Sequence, residues 1–176
     1  MKLHSIIRSM DFRKLWSLAL MGLKHPSYIW PTYTATRQCI DICNRKFGEL
    51  HHKNGPENAF RHALWNSLII YRSLQAGREL EKATYWAKKA TDWHEEFSPN
   101  EPLARAMDLH NNKVGRDLMQ MQPNLDAKTM IDALLLLLQK SEYIDNLDKL
   151  KMYKKHLLET ATVSLIHIEK KSENHD

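Results

Sequence analysis

The chain has 176 residues, 43% of them hydrophobic and 27% charged, with a formal net charge of +5. That is enough for one sizeable core, too little for two complete domains and too apolar for wholesale disorder. The positive balance suits anionic surfaces without choosing between phospholipid and nucleic acid. Because the basic residues form no single dense run, nucleic acid is set aside as a partner.

A first amphipathic helix is expected from about Asp11 to Lys24. It mixes basic residues with Phe12, Leu15, Trp16, Leu18, Leu20 and Leu23, and the segment 11–30 either packs on the core or a partner or lies in a membrane interface. "HPSYIWP" follows, where Pro26 and Pro31 are expected to force an extended connection. A second helix runs from about Thr34 to Leu50. Its Cys39 and Cys43, four apart on one face, are poorly oriented for a disulfide and read as small buried hydrophobes in a reducing compartment. "NGPENAFRHALWNSLIIY" supplies the third helix, with Asn54 as cap, Pro56 in the first turn and Gly77 as the stop. A fourth spans about Glu79 to Phe97, and a fifth about Glu101 to Met121. The remainder gives one or two more helices, one carrying Leu134 to Leu138 in the core, and a charged tail.

With five glycines, six prolines and no long period-two run, the expected fold is an all-α, single-domain bundle of about six to seven helices. Residues 1–33 form an amphipathic start that can face a membrane, 34–168 the core and 169–176 a disordered tail. Arg8, Asp11, Arg13 and Lys14 interrupt any secretory leader, and no apolar run reaches the roughly 18 residues of a membrane span. The expected location is cytoplasmic, with peripheral membrane contact if the start engages lipid.

Three helices carry polar groups where a solvent face would carry lysine and glutamate. Helical geometry puts Asn58, His62 and Asn66 on one stripe of the third helix, with Trp65 and Ile69 among them and Arg61 at the edge. On the fourth, Ala83, Ala87, Ala90 and His94 share a face. His94 would project inward near the helix C-terminus, where the dipole favours its charged form. Glu95 points elsewhere unless the last turn unwinds. On the fifth, Asp108, Asn111, Asn112 and Gly115 share one face with Arg116 at its border, while His110 falls on the apolar side. Gly115 costs that helix about 1 kcal/mol relative to alanine, which suggests that a neighbouring backbone or a ligand needs the room.

Burying such groups unpaired costs roughly 2 to 7 kcal/mol each, so partners are expected. His62, His94 and Asp108 are plausible ligands for a divalent ion, but no HExxH or paired-cysteine spacing supports a metal, and its presence stays open. Nucleophilic serine or cysteine chemistry has no GxSxG or comparable motif. Histidine acid–base chemistry on a phosphoester fits better. His62 or His94 would act as nucleophile or base, Asp108 would orient it, and Arg61 or Arg116 with the asparagines would stabilise phosphate charge.

"NGPENAFRHALWNSLI", "TDWHEEF" and "MDLHNNKVGRDL", in that order, resemble a family of short all-helical bacterial domains. These share an N-A-F-R-H-x-x-W-N helix, a later His-Glu and an M-D-x-H-N-N-x-x-G-R helix. That family is similar to the minimal prokaryotic relatives of Wnt proteins in the Lipocone superfamily, whose members are proposed to act on phosphate-linked lipid head groups. The resemblance carries over to Asn58, Arg61, His62, Asn66, His94, Glu95, Asp108, Asn111, Asn112 and Arg116. It implies a hydrolase or head-group transferase for phospholipid or polyprenyl-linked phosphate. The chain departs from toxin members in having no long delivery module, and from secreted Wnt proteins in lacking their many disulfides. The competing expectation is a non-catalytic binding, immunity or adaptor protein whose buried polar network only fixes helix register.

Overall fold

A computed structural model describes the backbone of residues 12–97 and 100–169, and their side chains apart from those of 12–15 and 18. The expected tail beyond Glu169 lies outside the described residues. Within them the chain is all-α. Helices α1 (Phe12–Lys24), α2 (Ile29–Phe47), α3 (Pro56–Gln75), α4 (Leu80–Phe97), α5 (Pro102–Met121), α6 (Ala127–Gln139) and α7 (Leu147–Thr160) are joined by short connections.

The third helix is the axis of the bundle. It packs against α2, α4, α5 and α6, and Phe60, Leu64, Leu68, Ile69 and Ile70 are wholly buried. A helix enclosed on all sides cannot leave its polar positions in water, so Asn58, His62 and Asn66 must find partners on its neighbours. At the α3/α5 crossing Gly115 lets the backbones touch: a Cβ there would stand 2.1 Å from the Ala63 carbonyl oxygen. The room that Gly115 leaves is taken by backbone. The Ser67 hydroxyl bridges the same spot, within 3.0 Å of the Ala63 carbonyl and 2.9 Å of the Gly115 carbonyl.

Several boundaries differ from the expected ones. "HPSYIWP" is not extended: Pro26–Tyr28 form a 3-10 turn that runs into α2 at Ile29. Pro31 falls in the first turn of α2, where its missing N–H has no intrahelical partner to lose. Gly55, not Asn54, caps α3, with Pro56 in the first position. The Asn54 carbonyl instead accepts the N–H groups of Ile168 (3.0 Å) and Glu169 (3.1 Å), tying the end of the described chain to the start of α3. At the other end the prediction holds. Gly77 takes a left-handed φ of 77°, and Arg78 N–H donates to the Ser73 carbonyl at 3.0 Å, the closure that terminates many helices.

Strands β1 (Glu142–Tyr143) and β2 (Ile166–His167), which the sequence did not lead us to expect, pair in parallel. Two residues carry no periodicity, and the pair is set by a side chain from α5. Asn111 Nδ2 donates to the Ile166 carbonyl (2.9 Å) and Asn111 Oδ1 accepts the Ile166 N–H (3.0 Å). A small core of Met107, Ile144, Leu150 and Ile166 seals this corner. Of the five consecutive leucines, Leu134 is fully buried and Leu136 is 59% exposed. Both cysteines are free and buried. No helix among the described residues is long and apolar enough to cross a membrane.

Candidate functional site

The polar stripe of α3 meets α4 and α5 in one connected network, and its proton positions follow from the chemistry of the donors. Arg116 can only donate, and it donates to Asn66 Oδ1 at 2.8 Å, so that atom is the amide oxygen. Asn66 Nδ2 therefore donates, to the His62 carbonyl (3.1 Å) and to Asn112 Oδ1 (2.7 Å). Because Asn112 Oδ1 is thereby an acceptor, His62 Nδ1, 3.2 Å away, carries the ring proton. That leaves Nε2 bare, and Arg61, again only a donor, points its guanidinium at Nε2 from 3.1 Å. Two independent chains of donors thus fix one tautomer.

Beyond the imidazole stand two carboxylates. Asn112 Nδ2 donates to Glu95 Oε1 at 3.2 Å, which also lies 3.4 Å from His62 Nδ1. Asn100 Nδ2 donates to Asp108 Oδ2 at 2.9 Å. Asp108 Oδ1 is 3.2 Å from His62 Nε2, yet among the described residues Oδ1 and Glu95 Oε2 are buried without a hydrogen-bond partner. His62, Glu95 and Asp108 are 3%, 1% and 2% exposed. Such burial pushes the Asp108 carboxyl up to about 8, aided by the negative charge of Glu95 and opposed by Arg61. Burial likewise raises Glu95, against the hydrogen bond from Asn112. It drives His62 well below its usual range, with the charges of Arg61 and His94 adding to the effect. At neutral pH the centre therefore holds a neutral imidazole and a carboxylate pair that retains one proton, with Arg61 as its adjacent cation.

The sequence-predicted residues divide into three groups. His62, Asp108, Glu95, Arg61, Asn112 and Asn66 share the network, and Asn58 holds Arg61 by accepting from its guanidinium at 3.1 Å while donating to the Lys53 carbonyl. Arg116 is 7% exposed and braces Asn66 from deeper in the bundle. Asn111 faces away and clamps β2. His94 is half-buried beside the centre, its ring edge-on to Trp65 at 5.2 Å. Burial lowers it to about 4, so the charged form expected from the helix dipole loses to desolvation.

Glu95 enters the centre although α4 stays helical through Phe97. The buried seam of α4 follows the four-residue ridge Ala83, Ala87, Thr91, Glu95, which drifts round the helix as it crosses its neighbours. The stripe that ended in His94 did not include that drift. Thr91 was missed for the same reason: its hydroxyl donates to Asn66 Oδ1 at 3.2 Å. Asn100, in the turn before α5, carried no sequence signal. His110 lies apart from the centre, as its apolar-side position implies, with Nε2 donating to the Ser164 carbonyl at 2.9 Å.

A network with this composition, on three helices of an all-α domain, defines a class of helical proteins with an internal His–carboxylate centre. The model of a family described as a domain of unknown function (DUF6973) matches residues 19–142, most of the chain and all of the centre, and the chain belongs to that family. Neither the curated proteins nor the solved structures compared with the chain match it.

Proposed function

We propose that the chain is a hydrolase or head-group transferase for phosphate-ester or pyrophosphate lipids, such as phospholipid or polyprenyl-linked phosphate, working at a membrane surface. The observation that carries this reading is the placing of two carboxyls on one imidazole, Asp108 Oδ1 at His62 Nε2 and Glu95 Oε1 at His62 Nδ1, beside the Arg61 guanidinium. Bare acceptors activate water or an acceptor hydroxyl, Arg61 balances phosphoryl oxygens, and the proton kept on the Asp108–Glu95 pair goes to the leaving oxygen. Asn112 and Asn66 fix the ring, and His94 flanks the centre. The likeness of the three motifs to the minimal prokaryotic Wnt relatives of the Lipocone superfamily supports the same substrate class.

Membrane contact is supported by exposed apolar side chains of α1 and the start of α2. Trp16, Leu20, Leu23 and Trp30 are 59%, 41%, 76% and 70% exposed, and a cleft of about 990 Å³ between α1 and α4 is lined by Trp16, Leu20, Trp93, Phe97 and the amines of Lys24, Lys88 and Lys89. Apolar side chains ringed by lysines suit an anionic interface. The cleft reaches Glu96 and Phe97, on the same turn of α4 as Glu95. A cytoplasmic, peripheral location fits the two free thiols.

One observation favours the non-catalytic reading, a binding, immunity or adaptor protein. All four hydrogen-bonding positions of the Asn66 amide are filled inside the bundle, as a brace requires. Purified protein incubated with vesicles of phospholipids and polyprenyl pyrophosphates, with divalent ions supplied, is expected to release phosphate or head group. No release from any member of the panel would overturn the enzymatic reading.

A further inference from the structure

We propose that His62, Glu95 and Asp108 hold a divalent cation, bound by His62 Nε2 and one oxygen of each carboxylate. Among the described residues these three side chains each bring a ligand atom to within 4.8 Å of the other two. Atoms sharing one ion at about 2.0–2.2 Å stand roughly 3.0 to 4.4 Å apart, so the 3.2 Å between Nε2 and Asp108 Oδ1 is a coordination edge that needs little movement.

Two further observations point to a ligand. Among the described residues, Glu95 Oε2 and Asp108 Oδ1 are buried without a protein donor, although every other polar atom of those two carboxyls and of the Asn66 and Asn112 amides has a partner. Two buried carboxyls this close hold either a shared proton, as in the metal-free protein, or a cation in its place. The imidazole is also set as a metal-bound histidine is set. Its Nδ1–H is tied to an oxygen, Asn112 Oδ1 at 3.2 Å, which orients the ring and leaves Nε2 unprotonated, with the Arg61 guanidinium donating to it and Asp108 Oδ1 3.2 Å away.

One imidazole nitrogen and two carboxylate oxygens suit an ion of the Mn2+ or Zn2+ class over Ca2+, which takes six to eight oxygens. Arg61, whose guanidinium stands at Nε2, yields that lone pair to the ion. Its other side-chain partner is Asn58 Oδ1 at 3.1 Å, and Arg61 is itself half-buried. In the reaction proposed above, on which this role rests, the ion would take the place of the proton shared by Asp108 and Glu95 and would polarise the phosphoryl group and a bound water, whose proton would pass to the leaving oxygen while Arg61 grips the phosphate oxygens.

The test is a Mn2+ titration of EDTA-treated protein followed by electron paramagnetic resonance, with Zn2+ thermal-shift measurements beside it. The expected result is one Mn2+ per chain and a higher Tm with either ion. Asp108→Asn and Glu95→Gln should each weaken binding by about 100-fold or more, beyond what loss of an outer partner costs, while melting at or above the wild-type temperature without metal. His52→Ala, outside the centre, should bind normally. No saturable binding of either ion, or binding that survives both carboxylate variants, overturns the proposal. Stoichiometric binding with a silent lipid panel would leave the cation site standing and remove the enzymatic reading. Head-group release undiminished in EDTA would do the reverse.

Discussion

Asn66 and Asp108 are both buried and polar, and their hydrogen bonding gives opposite expectations for their removal. Asn66→Ala takes the amide acceptor from the buried Arg116 and one partner each from Thr91 and Asn112, and urea unfolding should show a loss of about 3–5 kcal/mol. Asp108→Asn removes a buried carboxyl that the fold keeps protonated far above its usual range and should leave stability unchanged or raise it. Gly115→Ala drives a methyl group into the Ala63 carbonyl, and should cost about 2–3 kcal/mol or prevent folding. At this scale the sequence was legible wherever a residue sat in the middle of its face. The α3 stripe, the Asp108 and Asn112 positions and the separation of His110 follow from 100° per residue. The choice of Glu95 over His94 depends on a seam drifting through four turns of α4, and the clamp by Asn111 depends on a segment 55 residues away. Neither is contained in local periodicity.

The first helix presents the clearest element-scale question, because the bundle leaves its apolar side open. Trp16 and Leu20 line the cleft against α4, and Trp93 Nε1 donates to Ser17 Oγ at 3.0 Å, fixing α1 over the last turns of α4. Co-sedimentation with vesicles containing anionic lipid should pull the protein down at low ionic strength and less at high salt. A double Trp16→Ala, Trp30→Ala variant should remain in the supernatant; equal binding by that variant would place the membrane contact elsewhere. Helix existence was legible at this scale for α1 to α5, which carry a 3.6-residue pattern between Gly, Pro or Asn punctuation, while the stretch that holds α6 and α7 read only as one or two helices. The 3-10 turn at Pro26 and the two-residue strands were not. A proline allows a first helical turn as readily as an extended link, and the strand pair is held by tertiary contacts.

Over the whole molecule, burial of titratable groups predicts a peaked pH–stability curve in metal-free protein. His51, His94 and His110 are lowered to about 4, and His62 falls well below its usual range, in each case chiefly by desolvation. The unfolded chain takes up these protons first, so each histidine costs about 1.4 kcal/mol per pH unit as pH falls below roughly 6.5. Asp108, raised to about 8, acts in the opposite direction. The folded state keeps a proton that the unfolded state has released, so stability declines as pH rises from about 4 to 8. Below pH 6.5 the four histidines outweigh the raised Asp108 and Glu95 carboxyls; above it the carboxyls act without them. Denaturation across pH should therefore show a maximum near about 6.5, and Asp108→Asn should flatten the alkaline side while leaving the acid side steep.

Stability and turnover in the same Asp108→Asn protein decide whether the His62–Glu95–Asp108 centre performs chemistry or braces helices. A functional centre predicts that head-group or phosphate release from the lipid panel is abolished while Tm at pH 7 stays level or rises. A fall in Tm of several degrees, with release from the folded variant unchanged, would contradict it.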